Sequence, residues 1–342
     1  MKNIKKLLIT TLFISSLFGQ NVNIKESTNS GDKLVIKLNQ LAGNLKITGW
    51  DKKEVQISGE IDSDEDRPAR LKRTDFGFRM QLKYSDNTED DETIDSDLEV
   101  FVPRKYNLTI QTQGALELSN IEGEFQIHQA NEDAEISNIK GIGKISIVNG
   151  TFDMEDSHFD GDLSNVNGEL TVKNTDLFGY VRTVNAKMHL NRAPKGLEVS
   201  CVNGKITIDS AKDFVDANTT NASLVIGSLD GRLSFDSTNG SVTAKFIGNS
   251  TEGNHSIDIE TLNGSADLTI PKGYSMSFDI RIRESNGRKS NDYELNSDFK
   301  EIRIESEKEG RKAVVITGKG KIANGKNKAK LRIINGDVTI RN

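Results

Sequence analysis

Apolar and polar residues alternate along much of the chain, and from residue 113 onward the alternation recurs with an 18-residue period. An asparagine marks the start of each repeat from residue 131, and Gln113 holds that place one repeat earlier. Counted from this residue, positions four and six are apolar with a polar residue between them, and positions thirteen and fifteen repeat the arrangement. A two-residue period is typical of a strand with one buried face. Each repeat therefore predicts two strands joined by turns, with no length left for a helix.

The fixed interval also predicts how the strands are arranged. Equivalent residues recurring at this constant spacing indicate that each repeat lies on its copy in the preceding repeat. Neighbouring strands then run parallel, about 4.8 Å apart. We therefore predict an all-β fold, a single-stranded parallel β-helix (β-solenoid) with 18-residue coils and an irregular β N-terminal cap. A sandwich of antiparallel hairpins is the alternative, but it gives no reason for a register kept over six intervals.

The repeated asparagines predict a structural turn ladder. Its members are Asn131, Asn149, Asn167, Asn185, Asn203, Asn221 and Asn239. Glycine follows most of them, but alanine follows at positions 186 and 222. Asparagine adopts the left-handed region more readily than most residues and persists where glycine does not, so we assign the left-handed turn to the asparagine. Stacked amides can also hydrogen-bond along the column.

The ends of the chain depart from the repeat. The predicted segments are a signal peptide (1–19), an N-terminal β lead-in and cap (20–112), regular β-solenoid coils (113–280), and C-terminal coils and cap (281–342). The first segment has a basic start, about a dozen apolar-leaning residues and a small residue, Gly19, before the cleavage point. It is too short for a permanent anchor, although an uncleaved anchor is the alternative. We predict an exported protein, periplasmic or at the cell surface or outside the cell, with no integral membrane segment after signal cleavage.

The charge and the cysteine content of the chain exclude several classes of function. The chain carries a net charge of −6, a single cysteine, Cys201, and four scattered histidines. One cysteine excludes a disulfide framework and a cysteine-cluster metal site, and a net anionic protein is not expected to bind nucleic acid. Between Arg311 and Arg332 there are eight cations and no acid. That run predicts either a lysine-blocked strand edge or a contact with an anionic polymer.

The best candidate constellation is an acidic row at position five of the repeat. Glu117, Glu135 and Asp153 would lie about 5 Å apart in neighbouring coils. A solvated acidic face, a weak Ca²⁺ site and a carboxylate pair for glycoside hydrolysis are all compatible with that spacing. Any acidic column in such a fold has this spacing, so the spacing does not indicate catalysis. We therefore predict no catalytic residues and no cofactor, and keep weak Ca²⁺ binding as an alternative. Trp50 is interpreted as a packing residue rather than a sugar platform.

The chain resembles the DUF4097 family of β-strand-repeat proteins, related to the "putative adhesin" GIN head domains. The resemblance rests on the segment GNLKITGWD (43–51), on Leu98-x-Val-x-Val-Pro103 leading into Leu108-x-Ile-x-Thr112, and on the repeated Val-Asn-Gly units. It spans roughly residues 40–342. It implies an exported parallel β-helix with adhesin character and brings no catalytic residues.

These observations favour a non-catalytic function. We expect an exported β-solenoid, an adhesin or envelope interaction protein, that presents an extended ribbed surface to a polysaccharide, an envelope component or a protein. A carbohydrate-active β-helix enzyme, either a polysaccharide lyase or a hydrolase, is one alternative. A purely structural envelope protein is the other.

Overall fold

The computed structural model describes residues 15–16, 19–29, 31–38, 41–61, 69–74, 77–82, 94–248, 254–284, 293–309 and 313–342. Within these ranges every regular element is a strand, which confirms the predicted all-β class. Over the same ranges no helix is long and apolar enough to cross a bilayer. The chain forms two compact units, residues 1–139 and 140–342. Most of the predicted signal peptide lies outside the described residues.

The first unit contains twelve described strands. They are β1 (Ser15–Ser16), β2 (Gly19–Ser27), β3 (Lys33–Leu38), β4 (Leu41–Trp50), β5 (Glu54–Ile61), β6 (Ala69–Thr74), β7 (Gly77–Leu82), β8 (Ile94–Pro103), β9 (Asn107–Thr112), β10 (Ala115–Ser119), β11 (Glu122–Gln129) and β12 (Ala134–Ser137).

The first unit combines parallel and antiparallel pairs. β3 lies parallel between β7 and β9, and β4 lies parallel between β8 and β10. These partners are far apart in sequence, as in the pair Leu45 and Leu116. β5 runs antiparallel to both β2 and β8, and β6 runs antiparallel to β7. The interval of one repeat first appears between β10 and β12, where Leu116 pairs with Ala134.

The second unit contains fourteen described strands. They are β13 (Lys140–Asn149), β14 (Phe152–Glu155), β15 (His158–Lys173), β16 (Asp176–Ala193), β17 (Leu197–Ser237), β18 (Val242–Phe246), β19 (Ile257–Thr261), β20 (Ala266–Thr269), β21 (Met276–Glu284), β22 (Leu295–Ser297), β23 (Arg303–Glu309), β24 (Ala313–Ile322), β25 (Asn327–Ile334) and β26 (Val338–Arg341).

Residues 140–246, here called the repeat region, pair in parallel at the interval of one repeat. β13, β15, β16 and β17 follow one another in this register, and Ile145, Leu163, Val181 and Val199 form one continuous row. Every member of the row is at most 1% exposed, and burial of each such side chain contributes about 1.5–3 kcal/mol. The interval is longer at the next pairing, where Leu233 pairs with Ile257.

Residues 270–342, here called the closing segment, follow a different topology. β25 lies parallel between β19 and β21, so its partner in β19 comes from much earlier in the chain, as in the pair Ile257 and Ala329. β26 pairs in parallel with both β20 and β22. β24 then runs antiparallel to β21, and β23 runs antiparallel to β24. All seven residues of β23 are exposed, and charges predominate among them, which discourages further strand pairing.

The assignment of the left-handed turn to the ladder asparagines is wrong for most repeats. Within residues 140–246 none of the predicted asparagines has a positive φ, whereas the glycines that follow three of them do: Gly150 (114°), Gly168 (126°) and Gly204 (147°). Asn335, a late copy near the end of the chain, has a φ of 55°. A Cβ at Gly168 would lie 2.2 Å from the carbonyl oxygen of Gly150, which shows how closely these backbones approach. Asn131, in the first unit, is left-handed, with φ of 81°.

The structure contains a second turn row that was not predicted from the sequence. Asn120 and Asn138 in the first unit are left-handed, with φ of 63° and 50°, and Asn138 Nδ2 donates to Asn120 Oδ1 at 2.6 Å. In the second unit Asp156 and Asn174 are left-handed at 50° and 45°. All four residues stand at position eight of the repeat, so the same spacing that identified the first row also contained this one.

Candidate functional site

The repeated asparagines of the second unit form a hydrogen-bonded row. Each Nδ2 donates to the Oδ1 of the preceding member at 2.7–3.0 Å. The row comprises Asn149, Asn167, Asn185, Asn203, Asn221, Asn239, Asn263 and Asn335. Because these exposed amides hydrogen-bond one another, the row acts as a structural ladder rather than a ligand site.

A buried polar row lies behind the ladder, at position seventeen of the repeat. Asn165 Nδ2 donates to the carbonyl oxygens of Gly150 and Glu169, and Thr219 Oγ1 donates to that of Ala222. These bonds satisfy turn carbonyls that would otherwise be buried without partners. Cys201 belongs to this row, and burial raises the pKa of its thiol, so it is not a reactive nucleophile. The sequence signal was a column of small polar residues among apolar ones.

The acidic row is partly neutralised. Glu117 and Glu135 are neighbours in paired strands, as expected, but Lys46 lies beside Glu117 in β4, with its Nζ 2.8 Å from Glu117 Oε2. The hydrogen bond and charge of Glu117 raise the pKa of Lys46. Asp153, in the second unit, has Thr171 as its neighbour in the following repeat. Over the part of the chain that the structure describes, no cluster of three or more residues is arranged to hold a metal ion.

The cation-rich run lies inside the sheet, so its interpretation as a strand edge is wrong for β25. Lys330 Nζ lies 3.3 Å from Asp258 Oδ1 and 2.5 Å from Glu260 Oε1, and Arg332 pairs with Asp279. These acids belong to the strands on either side, β19 and β21. The sequence could not place them beside the cations because the partner strands are so distant along the chain. Arg311 and Lys312 lie outside the described residues.

A cleft beside β25 contains three arginines. It has a volume of about 320 Å³ and includes Arg281, Arg283 and Arg332 together with the half-exposed Leu262. Arg281 and Arg283 both pair with Glu309 at 3.1 and 2.8 Å. Since each of these guanidiniums already has a carboxylate partner, they are poorly suited to capture an anionic ligand.

Trp50, in the first unit, serves packing as the sequence analysis interpreted it. Its ring stacks on Phe101 with centroids 4.9 Å apart, and Lys52 Nζ lies 4.3 Å from the ring centroid. Its indole N–H donates to the carbonyl oxygen of Glu54 at 2.9 Å. These contacts occupy the ring within its own unit.

The most site-like feature of the second unit is a cleft of about 360 Å³ on β15, β16 and β17, here called the aromatic cleft. It is lined by His158, Asp160, Asp162, Phe178, Gly179, Tyr180, Lys195, Gly196, Glu198 and Phe214. Three half-buried aromatic rings occur together here, whereas other rings of the unit, such as those of Phe152, Phe159 and Phe235, are fully buried.

The strand register positions the cleft residues. Asp160 pairs with Phe178, and Tyr180 pairs with Asp162 on one side and Glu198 on the other. These positions point outward because the alternating neighbours, such as Leu177 and Val181, are buried. Gly196 leaves room for Phe214, since a Cβ there would lie 2.2 Å from the Phe214 ring.

Each ring of the cleft has a nearby cation. Lys195 Nζ lies 5.1 Å from the centroid of Phe178, and the guanidinium carbons of Arg182 and Arg232 lie 5.0 and 5.3 Å from Tyr180 and Phe214. His158 packs edge-on against Phe178, with centroids 5.0 Å apart.

The cleft carboxylates, in contrast, are without cationic partners. Asp160, Asp162 and Glu198 form no ion pair with any residue in the described ranges. The repeat pattern did not predict this cleft. The available signal was aromatic residues at outward positions twelve and fourteen, which several other repeats fill with polar or charged residues.

Comparison with known proteins adds distant likenesses. No family model and no curated protein matches the chain, so the resemblance to DUF4097 stays a prediction. The chain is similar to a "putative cell adhesion protein" from Clostridium sporogenes, with 12% identity over 94% of this chain and 99% of that one, and a TM-score of 0.19. It is also similar to a "putative adhesin" from Parabacteroides distasonis, with 9% identity over 73% and 97% and a TM-score of 0.36. A "putative lipid binding protein" from the same organism has 14% identity over 72% and 96% and a TM-score of 0.42.

Proposed function

We propose that the protein is an exported, non-catalytic β-solenoid that presents an extended ribbed surface to a partner, in the manner of an adhesin. The partner is a polysaccharide, an envelope component or a protein. The observation that supports this most is the in-register parallel pairing of residues 140–246, which sets outward side chains in rows across successive strands. Stacked repeats of this kind form long binding surfaces, with each repeat contributing one rib.

The outward rows are chemically varied, as a recognition surface requires. Position five of the repeat carries Asp153 and His189 on either side of the buried Thr171, whereas the aromatic cleft occupies positions twelve and fourteen. A purely structural role would need only the buried apolar rows and the asparagine ladder. The three half-buried rings go beyond that need, which favours a binding function over a structural one.

A polysaccharide lyase or hydrolase is the second candidate, since Asp160, Asp162 and Glu198 are available to an enzyme as acid or base groups. Retention and turnover separate the two functions. The full-length protein is incubated with cell-envelope fragments and with a panel of polysaccharides, and both sedimentation with the fragments and release of reducing ends are measured.

We expect retention by at least one preparation without release of sugar ends. Sustained release that is lost in a triple variant Asp160→Asn, Asp162→Asn, Glu198→Gln would replace the binding function with the enzymatic one. Absence of retention by every preparation, without turnover, would leave the structural role as the better description and contradict the proposal.

A further inference from the structure

We propose that the aromatic cleft binds a neutral glycan whose sugar rings stack on Phe178, Tyr180 and Phe214. This inference rests on the proposed binding function and assigns it a site and a ligand class. The cleft carboxylates would accept hydrogen bonds from sugar hydroxyls, and Lys195 and His158 would donate to sugar oxygens.

The rings supply the apolar part of the recognition. They project from the outer face of the strands and are half-buried, so part of each ring is open to a ligand. A pyranose has an apolar C–H face of comparable width, and covering a ring with it removes apolar surface from water. Ligand sites generally combine aromatic walls with a few placed polar groups, and the aromatic cleft has that composition.

The charge balance selects a neutral ligand. Three carboxylates line the cleft, while Lys195, Arg182 and Arg232 lie against its rings. An anionic polymer would approach the unpaired carboxylates, and a basic peptide would meet cations already placed beside each ring. A polyhydroxylated neutral chain is repelled neither by the carboxylates nor by the cations. Its hydroxyls donate to the carboxylates and accept from the ammonium group.

Two of the rings lie in one outward row that crosses the strands. Phe178 and Phe214 occupy the same outward position two repeats apart, which places their backbones about 9.6 Å from one another. Gly196 stands between them, and a Cβ there would lie 2.2 Å from the Phe214 ring, so this ring covers Gly196. A glycan crossing the strands along this row can therefore contact both rings.

Affinity electrophoresis of the full-length protein tests this assignment. The native gels contain a mixed-linkage β-glucan, an arabinoxylan, a galactomannan or a dextran as neutral probes. Gels with polygalacturonate and gels with poly-L-lysine provide the charged probes. We expect retardation by at least one neutral probe and a loss of affinity of about tenfold for Phe178→Ala and for Phe214→Ala.

Two variants control for effects other than ring loss. Phe214→Tyr keeps a stacking ring and should retain binding. Ile142→Ala removes the side chain of an exposed apolar residue, 53% accessible, in the same outward row but outside the cleft, and should change nothing. Thermal unfolding of each variant verifies that it is folded.

Three results would overturn the assignment. The first is no retardation by any neutral probe, the second is unchanged retardation in both alanine variants, and the third is ring-dependent binding confined to poly-L-lysine or polygalacturonate. Retention of wild type on envelope fragments would in those cases leave the proposed function intact. Release of reducing ends would contradict the proposed function itself.

Discussion

The repeat region and the closing segment use the same kind of strand but find their partners differently. In residues 140–246 each strand pairs with the equivalent strand of the adjacent repeat, always in parallel. In residues 270–342 the partners of β25 lie several repeat lengths away along the chain, and β23 and β24 are antiparallel. A strand pairing that recurs between adjacent repeats appears in the sequence as a period. A strand pairing that occurs once, between distant segments, produces no periodic pattern.

The difference also concerns how a stack of strands ends. Each repeat strand has a partner on both sides, but the last one would expose its backbone N–H and C=O groups. The closing segment covers that edge by inserting β25 between β19 and β21 and ending in a charged, exposed strand, β23. We therefore expect the repeat region, but not the closing segment, to accept additional copies of the repeat.

The largest effect is expected from removing β25 and β26. Truncation after Lys326 leaves β19 and β21 without the strand that joins them, so we expect aggregation and loss of the wild-type peak in size-exclusion chromatography. Removal of Asn342 alone is the matched control and should leave the profile unchanged. A truncated chain with the wild-type elution volume and melting temperature would show that β25 and β26 are dispensable.

A matched pair of substitutions that shorten buried side chains compares the stability of the two regions next. Leu163 in the repeat region and Leu331 in β25 are both fully buried. Leu163→Ala and Leu331→Ala should each lower the free energy of unfolding by about 2–5 kcal/mol in denaturant titration, because each leaves a cavity. Val202→Ala, at a residue 39% exposed, is the control. A negligible change at Leu331 would mean that the closing segment unfolds separately from the repeat region.

The turn chemistry is tested at two equivalent positions. Gly168→Ala should lower the free energy of unfolding by about 1–3 kcal/mol, because Gly168 is left-handed and the new Cβ would meet the carbonyl oxygen of Gly150. Ala186→Gly, at the same position one repeat later, should cost about 1 kcal/mol, from backbone entropy and the loss of one buried methyl group. Thermal and denaturant unfolding measure both. Equal effects would contradict the assignment of the left-handed turn to glycine.

Each asparagine of the ladder should contribute less to the free energy of unfolding than the left-handed glycine does. Asn185 donates to Asn167 and accepts from Asn203, so Asn185→Ala removes two exposed hydrogen bonds and should cost about 1 kcal/mol in denaturant unfolding. Asn218→Ala, at an exposed asparagine outside the ladder, should be neutral. If the two substitutions have the same effect, the amide row has no stabilising role.

The smallest effect concerns acid sensitivity in the repeat region. Burial raises the pKa of Asp209, but hydrogen bonds from Asn191 and His189 and the charge of His189 outweigh it and lower the pKa below the usual 3.8. A lowered folded pKa gives stability that is present above the unfolded value and is lost as the pH falls through the folded value. Melting temperatures of wild type and Asp209→Asn should therefore converge at low pH. A constant difference from pH 7 to pH 2 would contradict this linkage.

Sequence periodicity predicted the strands and their buried rows because alternation reports directly on burial. Leu163 and Val181 were placed correctly on one row by counting alone. The left-handed residue was misassigned, since Asn167 and Gly168 both tolerate that region and only the backbone approach to Gly150 decides between them. Lys46 was not placed beside Glu117 because their strands, although paired, are far apart in sequence.

The aromatic cleft was missed for a different reason. Phe178 and Phe214 occur at a position that is charged in several other repeats. A consensus of the repeats therefore does not show an aromatic residue at this position. A repeat pattern predicts what the copies share, and a binding site consists of what individual copies do not share. Departures from the consensus at outward positions are therefore the place to search in such chains.

Disulfide trapping tests the in-register parallel pairing most directly. In a Cys201→Ser background, Glu169→Cys combined with Lys187→Cys places two exposed thiols on paired neighbours, whereas Glu169→Cys combined with Lys205→Cys places them two repeats apart. Paired neighbours are within the Cα separation that a disulfide accepts, and a spacing of about 9.6 Å is outside it. We expect rapid intramolecular cross-linking of the first pair and none of the second under mild oxidation. Cross-linking of the second pair, or failure of the first, would contradict the in-register stacking of the repeats.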